Sequence, residues 1–462
     1  MIQIERNHYN VCLLNDSFPP LIDGVANAVI NYAEIIQGEL GMATVVTPSS
    51  PGFVDDFIFP VVRYSSLDTQ KALGYRAGYP FSASMLESLQ DSNFNVIHSH
   101  CPFASTVLGR TLREKNHAPL IMTYHTKFDE DLKRIVKNPL LVSQITKFIV
   151  QNINTCDEIW TVSKGAGENL RSIGYEGEYR IMPNGVDFPK GKAEPEGVEE
   201  LRVDYGLADR LPAFLFVGRL FWYKGLRLIF DSLKRLSEKG IAYKFLIVGD
   251  GGDREEMEQY AESLGIAENC CFIGAINDRE ELRYYYTACD LFLFPSLYDT
   301  NGIVVREAAA CGLPSILIEG SCAAEDFSDK HNAILTQNET EAFTAELEFA
   351  ASHLDELKQI GENAMNEVYM SWEDAVKRAY DRYEVVIENC RRGVTQCRET
   401  KIQEVLYSSV SDITDSIQKV RSITASSKSK TKRFSRAIKR TRKVIAGNIA
   451  SNLNERAEKL EK

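Results

Sequence analysis

The chain is predicted to be an α/β protein: two doubly wound, parallel-sheet domains in tandem, followed by a helical C-terminal extension. Three observations predict it. Short apolar, β-branched runs alternate with longer amphipathic segments through the first 370 residues, the pattern of βαβ units whose strands are covered on both faces. A polar, Pro/Gly/Glu-rich passage at 188–200 divides these runs into two sets and reads as an interdomain linker. With 462 residues, 44% apolar and 26% charged, the chain is long enough to bury two cores and carry an appendage.

The first set of strands is expected at 10–14, 43–47, 61–64, 95–99, 120–124, 158–162 and 180–183. The second is expected at 213–217, 244–248, 270–273, 291–295 and 315–318, with helices such as 226–239 and 255–264 between them. The resulting domains span 1–187 and 188–370, with a helix over 371–390 that Ser371 caps two residues before an acidic pair. The extension is 391–462. In it Leu406, Val410, Ile413, Ile417 and Val420 repeat at four-three spacing, giving 402–423 one narrow apolar seam suited to pairing with a second copy of the chain.

The formal net charge of −12 conceals an asymmetry. Residues 428–462 hold 12 Lys+Arg against 3 Asp+Glu, a net of +9, so the remainder carries −21. A body that acidic is a poor nucleic-acid binder, and no nucleic-acid partner is expected. Phe434, Ile438, Ile445, Ile449 and Leu453 fall on one face of a helical wheel with the cations mostly opposite, the pattern of a basic helix lying on an anionic membrane through 428–453. The competing reading packs this face on the acidic body or on a second subunit. No signal peptide is expected at the first residues, and no apolar run reaches the eighteen residues a spanning helix needs. The expected location is the cytoplasm, peripheral at the inner face of the membrane. The ten scattered cysteines, none in a CxxC pair, read as reduced core thiols.

In an open parallel sheet ligands sit beyond the carboxyl ends of strands, and four motifs lie there. In NDSFPPLIDGVANAVINYAEII, Gly24 opens a helix whose N-terminus favours an anion; the plainer reading is a turn glycine. In GRLFWYKGL, Gly218 ends a strand and Arg219 and Lys224 place two cations beside a helix start, which suits a diphosphate; alternatively they are solvated surface charges. In YDTNGIVVREAAACGLP, Asp299 and Glu307 lie eight residues apart around Asn301, Gly302 and Ile303: a loop carboxylate for sugar hydroxyls, helix-start amides for phosphate, a helix carboxylate for a ribose diol. The alternative is a helix capped by Asn301 with Glu307 exposed. Finally, His98, His100 and His125 end two strands facing one cleft, where His98 and His100 could bind each other or a metal.

This ordered set, with FVGRL, Lys224-Gly225, VGDG, Asp299-x7-Glu307 and an upstream PNGVD, resembles the retaining GT-B glycosyltransferases of family 4 over about residues 8–387. The resemblance implies two Rossmann-like domains with a cleft between them, an acceptor-side one first and a nucleotide-sugar-binding one second, and a crossover helix near Trp372 returning to the first. It implies that Arg219 and Lys224 bind the donor diphosphate beyond Gly218, that Glu307 holds the ribose, and that Asp299 with the amides of Asn301, Gly302 and Ile303 holds the transferred sugar. His125 would lie near the anomeric carbon and Gly24 against the phosphates. Two positions depart from the pattern: Asp23 stands where a first glycine is usual, and Asp299 replaces the commoner Glu.

The expected reaction is transfer of a hexose from a nucleotide diphosphate sugar, expected to be a UDP-sugar, with retention through front-face attack and the leaving phosphate activating the acceptor. Fixed cations stabilise the departing diphosphate, and no Asp-x-Asp element follows a strand, so no cofactor and no metal is expected. The acceptor is a lipid or glycan; the basic tail, and the loose likeness of HTKFDEDL to glycolipid-forming members, favour diacylglycerol or a glycolipid. The alternatives are a soluble or polysaccharide acceptor, or a non-catalytic nucleotide-sugar-binding scaffold.

Overall fold

The computed structural model describes residues 8–21, 23–69, 76–79, 89, 92–136, 138–207 and 211–394. The amphipathic segment 428–453 and the seam 402–423 lie outside the described residues.

Seven strands form the first sheet: β1 (Asn10–Leu14), β2 (Met42–Pro48), β3 (Val61–Tyr64), β6 (Val96–Ser99), β7 (Leu120–Tyr124), β8 (Glu158–Thr161) and β9 (Arg180–Ile181). Their order is β3-β2-β1-β6-β7-β8-β9 and every pairing is parallel. A two-stranded antiparallel ribbon, β4 (Ser66–Leu67) with β5 (Ala77–Gly78), stands apart from it. The second sheet, also fully parallel, runs β12-β11-β10-β13-β14-β15. Its strands are β10 (Ala213–Val217), β11 (Lys244–Val248), β12 (Cys270–Gly274), β13 (Leu291–Phe294), β14 (Ser315–Ile318) and β15 (Ile334–Thr336).

The uninterrupted apolar runs follow from burial on both faces. In β10, Ala213, Leu215 and Val217 join one core while Phe214 and Phe216 join the other. In β1, Val11 and Leu13 face one layer and Cys12 and Leu14 the opposite one. In each sheet the strand order reverses once, between β1 and β6 and between β10 and β13. Those switch points are where an open α/β sheet leaves a crevice for a ligand.

Thirteen helices fall within the described residues. Those used below are α1 (Gly24–Ile35), α2 (Ala104–Asn116), α3 (Phe128–Ile135), α4 (Pro139–Ile153), α5 (Lys164–Ser172), α6 (Pro195–Asp204), α7 (Leu226–Glu238), α8 (Arg254–Ser263), α9 (Arg279–Ala288), α10 (Ile303–Ala310) and α13 (Trp372–Arg391), with α11 (Thr340–Ser352) and α12 (Leu354–Glu367) between the last two. Ser371 caps α13 by accepting from the Asp374 amide. The helix packs Trp372, Val376, Tyr380 and Tyr383 into the first sheet's core, and the Tyr380 hydroxyl accepts from the Tyr9 amide at 2.7 Å.

Three expectations are corrected. The passage expected as a linker turns helical at Pro195: α6 starts there, where the fixed φ suits a first turn, and Arg202 donates to the Ala288 carbonyl at 2.8 Å. The short edge strand β15 was not foreseen, because three residues carry no periodicity. Among the cysteines Cys390 is disulfide-bonded, while Cys12, Cys101, Cys156, Cys270, Cys271, Cys289, Cys311 and Cys322 are free thiols.

Candidate active site

The second sheet's switch point is built by close backbone approach. Beyond β10 the Gly218 amide donates to Val248 O at 3.0 Å, and a Cβ on Gly249 would stand 1.9 Å from Gly218 O. No residue other than glycine fits there. The loop continues through a 3-10 turn, Trp222–Lys224, to Gly225, whose φ of 86° turns the chain into α7. A Cβ on Gly225 would lie 2.8 Å from Pro295, just beyond β13. These constraints lay Lys224 over the end of β13, where its Nζ is 2.6 Å from Asp299 Oδ1. Arg219 is exposed, with its guanidinium 5.8 Å from the Phe221 ring centre.

Past Asp299 the chain is polar yet buried. Asp299 Oδ2 and both carboxamide atoms of Asn301 have no hydrogen-bond partner in the protein. Gly302, at φ 58°, caps α10 through its backbone conformation with no side-chain cap, so Asn301 is not the cap. Glu307 is not exposed either. Its Oε1 is 2.6 Å from Arg279 Nη2 and its Oε2 accepts from the Tyr286 hydroxyl at 2.9 Å. Arg279 also faces Asp187 at 3.4 Å and lies over the Phe188 ring at 4.2 Å. Sequence reasoning missed Arg279 and Tyr286; at 28 and 21 residues from Glu307 they leave no local pattern to read.

On the first lobe the three histidines separate into different roles. His98 belongs to the core: its Nδ1 is 2.6 Å from the Tyr383 hydroxyl and its Nε2 is 2.7 Å from the Thr123 hydroxyl. His100 Nδ1 is 3.0 Å from His125 Nε2, which couples the ends of β6 and β7. Burial holds His98 and His100 well below the usual histidine range and pulls His125 down to about 3, so all three are neutral at physiological pH. Among the described residues no group of three His, Cys, Asp or Glu side chains is arranged to hold a metal ion.

Gly24 opens α1 in an exposed position with open space where a Cβ would go. Asp23 caps the helix, accepting from the amides of Val25 and Ala26 at 2.9 and 2.8 Å. First-turn donors that would face a phosphate are thereby bonded to a carboxylate of the chain itself.

The lobes meet at this site. Thr300 Oγ1 donates to the His125 carbonyl at 2.7 Å, and the Ser163 hydroxyl donates to the Thr300 carbonyl at 2.5 Å. Lys127 reaches Leu297 O at 3.3 Å, Tyr298 donates to Asp131, and Arg134 of α3 lies 3.8 and 3.7 Å from the ring centres of Tyr223 and Tyr298. The first amides of α5, from Lys164 and Gly165, donate to Glu325. Thr300 thus fastens the Asp299–Asn301 segment, with Lys224 paired to Asp299, to the main chain of His125 at the gap between the lobes; Glu307 lies further along α10, and Arg219 is exposed.

Two doubly wound lobes whose carboxyl edges face each other across such a gap define a GT-B glycosyltransferase. Residues 22–189 match the family model for Glycosyltransferase Family 4 and residues 197–367 that for Glycosyl transferases group 1; the chain belongs to glycosyltransferase family 4. An alpha-monoglucosyldiacylglycerol synthase of Streptococcus pneumoniae is 24% identical over 386 residues, covering 82% of this chain and 86% of that protein. A second protein of that name, from Acholeplasma laidlawii, is 22% identical over 359 residues, covering 75% and 87%. Among solved structures, Anabaena HepE in complex with UDP and glucose superposes with a TM-score of 0.64 at 19% identity, over 82% of this chain and 100% of that one, a likeness of fold.

Proposed function

We propose that this glycosyltransferase transfers a hexose, with retention, from a nucleotide diphosphate sugar, a UDP-sugar, to diacylglycerol or a glycolipid at a membrane surface. The observation that carries the reading is the Lys224–Asp299 pair at the switch point, 2.6 Å apart and one residue from Thr300, which bonds the His125 carbonyl of the first lobe. An ammonium has three donors, so Lys224 can hold Asp299 and a diphosphate oxygen together. With Arg219 swinging in from the rim, positive charge meets the departing nucleotide as the anomeric carbon becomes electron-poor, a role in which we propose no metal ion takes part. Glu307 would take the ribose diol by exchanging one of its present donors, Arg279 or Tyr286, for a hydroxyl. His125, neutral and braced by His100, would offer the sugar a hydrogen bond without adding charge. The leaving phosphate would accept the acceptor proton on the same face. The lipid acceptor is supported by the names of the two synthases above and by the basic segment 428–453. No described helix is long and apolar enough to cross a membrane.

The test is a donor screen: full-length protein with UDP-glucose, UDP-galactose, GDP-mannose or ADP-glucose and dioleoylglycerol in vesicles with and without anionic lipid. Nucleotide release and lipid product are followed, and the anomeric configuration is read by NMR. The expected result is one preferred α-linked donor, an α-linked glycolipid and faster transfer on anionic vesicles. A β-linked product would reject retention; transfer only to soluble glycans would reject the lipid acceptor.

A further inference from the structure

We infer that Arg134 of α3, in the first lobe, is a positioning residue for the reaction: through the rings of Tyr223 and Tyr298 it sets the placement of the Lys224–Asp299 pair, and the inference rests on the role proposed above for that pair. Tyr223 immediately precedes Lys224, and Tyr298 immediately precedes Asp299. The two tyrosines come from different loops of the second lobe, one after β10 and one after β13. Their ring centres stand 5.0 Å apart with the planes inclined by 64°, so the rings form a corner. The Arg134 guanidinium sits in that corner, 3.8 Å from the Tyr223 ring centre and 3.7 Å from that of Tyr298.

The helix presents it in company. Lys127, Asp131 and Arg134 follow one another at i, i+4 and i+7, so they share one face of α3 and the turn that leads into it. That face meets the loop after β13: Lys127 donates to Leu297 O at 3.3 Å, Asp131 accepts from the Tyr298 hydroxyl, and Arg134 lies on the Tyr298 ring. Tyr298 is therefore held at both ends by one helix, its hydroxyl by a carboxylate and its electron-rich face by a cation. Of the three residues Arg134 also meets Tyr223. It is itself exposed, so packing of a core does not account for it.

The arrangement bears on the chemistry because Lys224 and Asp299 reach each other from two loops. Within the second lobe those loops are held by the ion pair itself, by the contact of the two rings and by the close approach of Gly225 to Pro295. Arg134 adds a hold from the first lobe on both loops at once, since sliding either loop takes one ring face away from the guanidinium. Lys224 Nζ stands 5.7 and 6.0 Å from the same two ring centres, so displacing the rings displaces the surroundings of the ammonium. Such displacements count at a reacting centre, where about 1 Å of misplacement costs about 10²-fold in rate. The contacts of Thr300 with His125 and Ser163, and of α5 with Glu325, fasten the lobes without touching either tyrosine.

Arg134→Met keeps an unbranched side chain and removes the charge, whereas Arg134→Lys keeps a cation for the rings. Both are compared with Tyr223→Leu, the Arg134→Met/Tyr223→Leu double variant and Lys224→Met in full-length protein. The readouts are nucleotide release from the donor preferred in the screen above on dioleoylglycerol vesicles, UDP binding and melting temperature. Arg134→Met is expected to lower kcat by about 10- to 100-fold while the donor KM and the UDP dissociation constant stay within about threefold. Its melting temperature should stay within about 3 °C of wild type, as suits an exposed position. Arg134→Lys should regain turnover to within about fivefold of wild type. Because the guanidinium acts through the ring, the double variant should be no more than about threefold slower than the slower single one. A wild-type kcat in Arg134→Met, a KM or dissociation constant raised more than about tenfold, which would put the guanidinium on the donor itself, an equal loss in Arg134→Lys, or losses that multiply in the double variant each overturns the inference. A wild-type rate in Lys224→Met would instead sink the role proposed for the pair, and nucleotide release by the wild type from no donor would sink the nucleotide-sugar reading.

Discussion

At the scale of single residues, the Lys224–Asp299 contact combines a structural task with a proposed chemical one. The side chains are 11% and 23% exposed, between a surface pair, which contributes little, and a buried pair, whose breaking is expensive. Removing the ammonium alone leaves Asp299 with both oxygens unpaired, since Oδ2 already lacks a partner. Lys224→Met is therefore expected to destabilise the protein by about 1–3 kcal/mol and to lower kcat by about 10²–10³. Adding Asp299→Asn should recover most of the stability by removing the stranded charge, and none of the activity. Urea unfolding and steady-state kinetics on the four members of this double-mutant cycle separate the two roles. Recovery of turnover in the double variant would mean that Lys224 only neutralises Asp299 and does not meet the diphosphate.

At the scale of elements, the strand-end glycines of the second sheet set the site's geometry, and sterics make replacing one of them costlier than replacing a glycine that merely ends a helix. Gly249 and Gly265 both have positive φ, 136° and 70°. A Cβ on Gly265, which follows α8, meets nothing within 4 Å, whereas one on Gly249 meets the Gly218 carbonyl oxygen at 1.9 Å. Gly265→Ala should cost about 1 kcal/mol, the left-handed penalty alone. Gly249→Ala must push the β10 and β11 loops apart and should cost more than about 3 kcal/mol while raising KM for the donor; denaturant midpoints and donor kinetics check both. Equal costs for the two would show that the loops yield freely. The strands that carry these loops were legible because burial on both faces writes them as unbroken runs such as AFLFV, KFLIV and SILI. β15, with three residues, and α6, whose Pro and Glu content imitates a linker, were not legible, since their stability comes from contacts far off in the chain. The candidate site divides in the same way. Loops after strands announce Lys224, Asp299 and His125, but nothing local says that Tyr383 will bind His98 across 285 residues, that Arg279 will occupy Glu307, or that Asp23 will take the first amides of α1.

At the scale of the whole molecule, three neutral buried histidines tie folding to pH. His98 is enclosed by β6, β7 and α13, while His100 and His125 lie where the lobes close, so their protonation reports on that closure. Burial lowers all three below their unfolded value near 6.5. Between that value and the depressed one the unfolded chain binds protons that the native protein does not, so stability rises with pH and is lost on acidification. The carboxyls of Asp16, Glu34, Asp290 and Glu325 are shifted up, chiefly by burial, and act in the opposite sense: their contribution is present at low pH and fades as pH rises through their folded values. Of these Asp16 is the most deeply buried, accepting from the Ser105 amide at the start of α2, and it opposes the histidines. From pH 7 to pH 5 the unfolding free energy is therefore expected to fall by about 3–6 kcal/mol, measured by urea titration, with His125→Gln removing about a third of that slope. A fall below about 1 kcal/mol would mean that the lobes part readily enough for His100 and His125 to take up protons in the native state, and the gap would then be open more often than the Thr300 and Ser163 contacts imply.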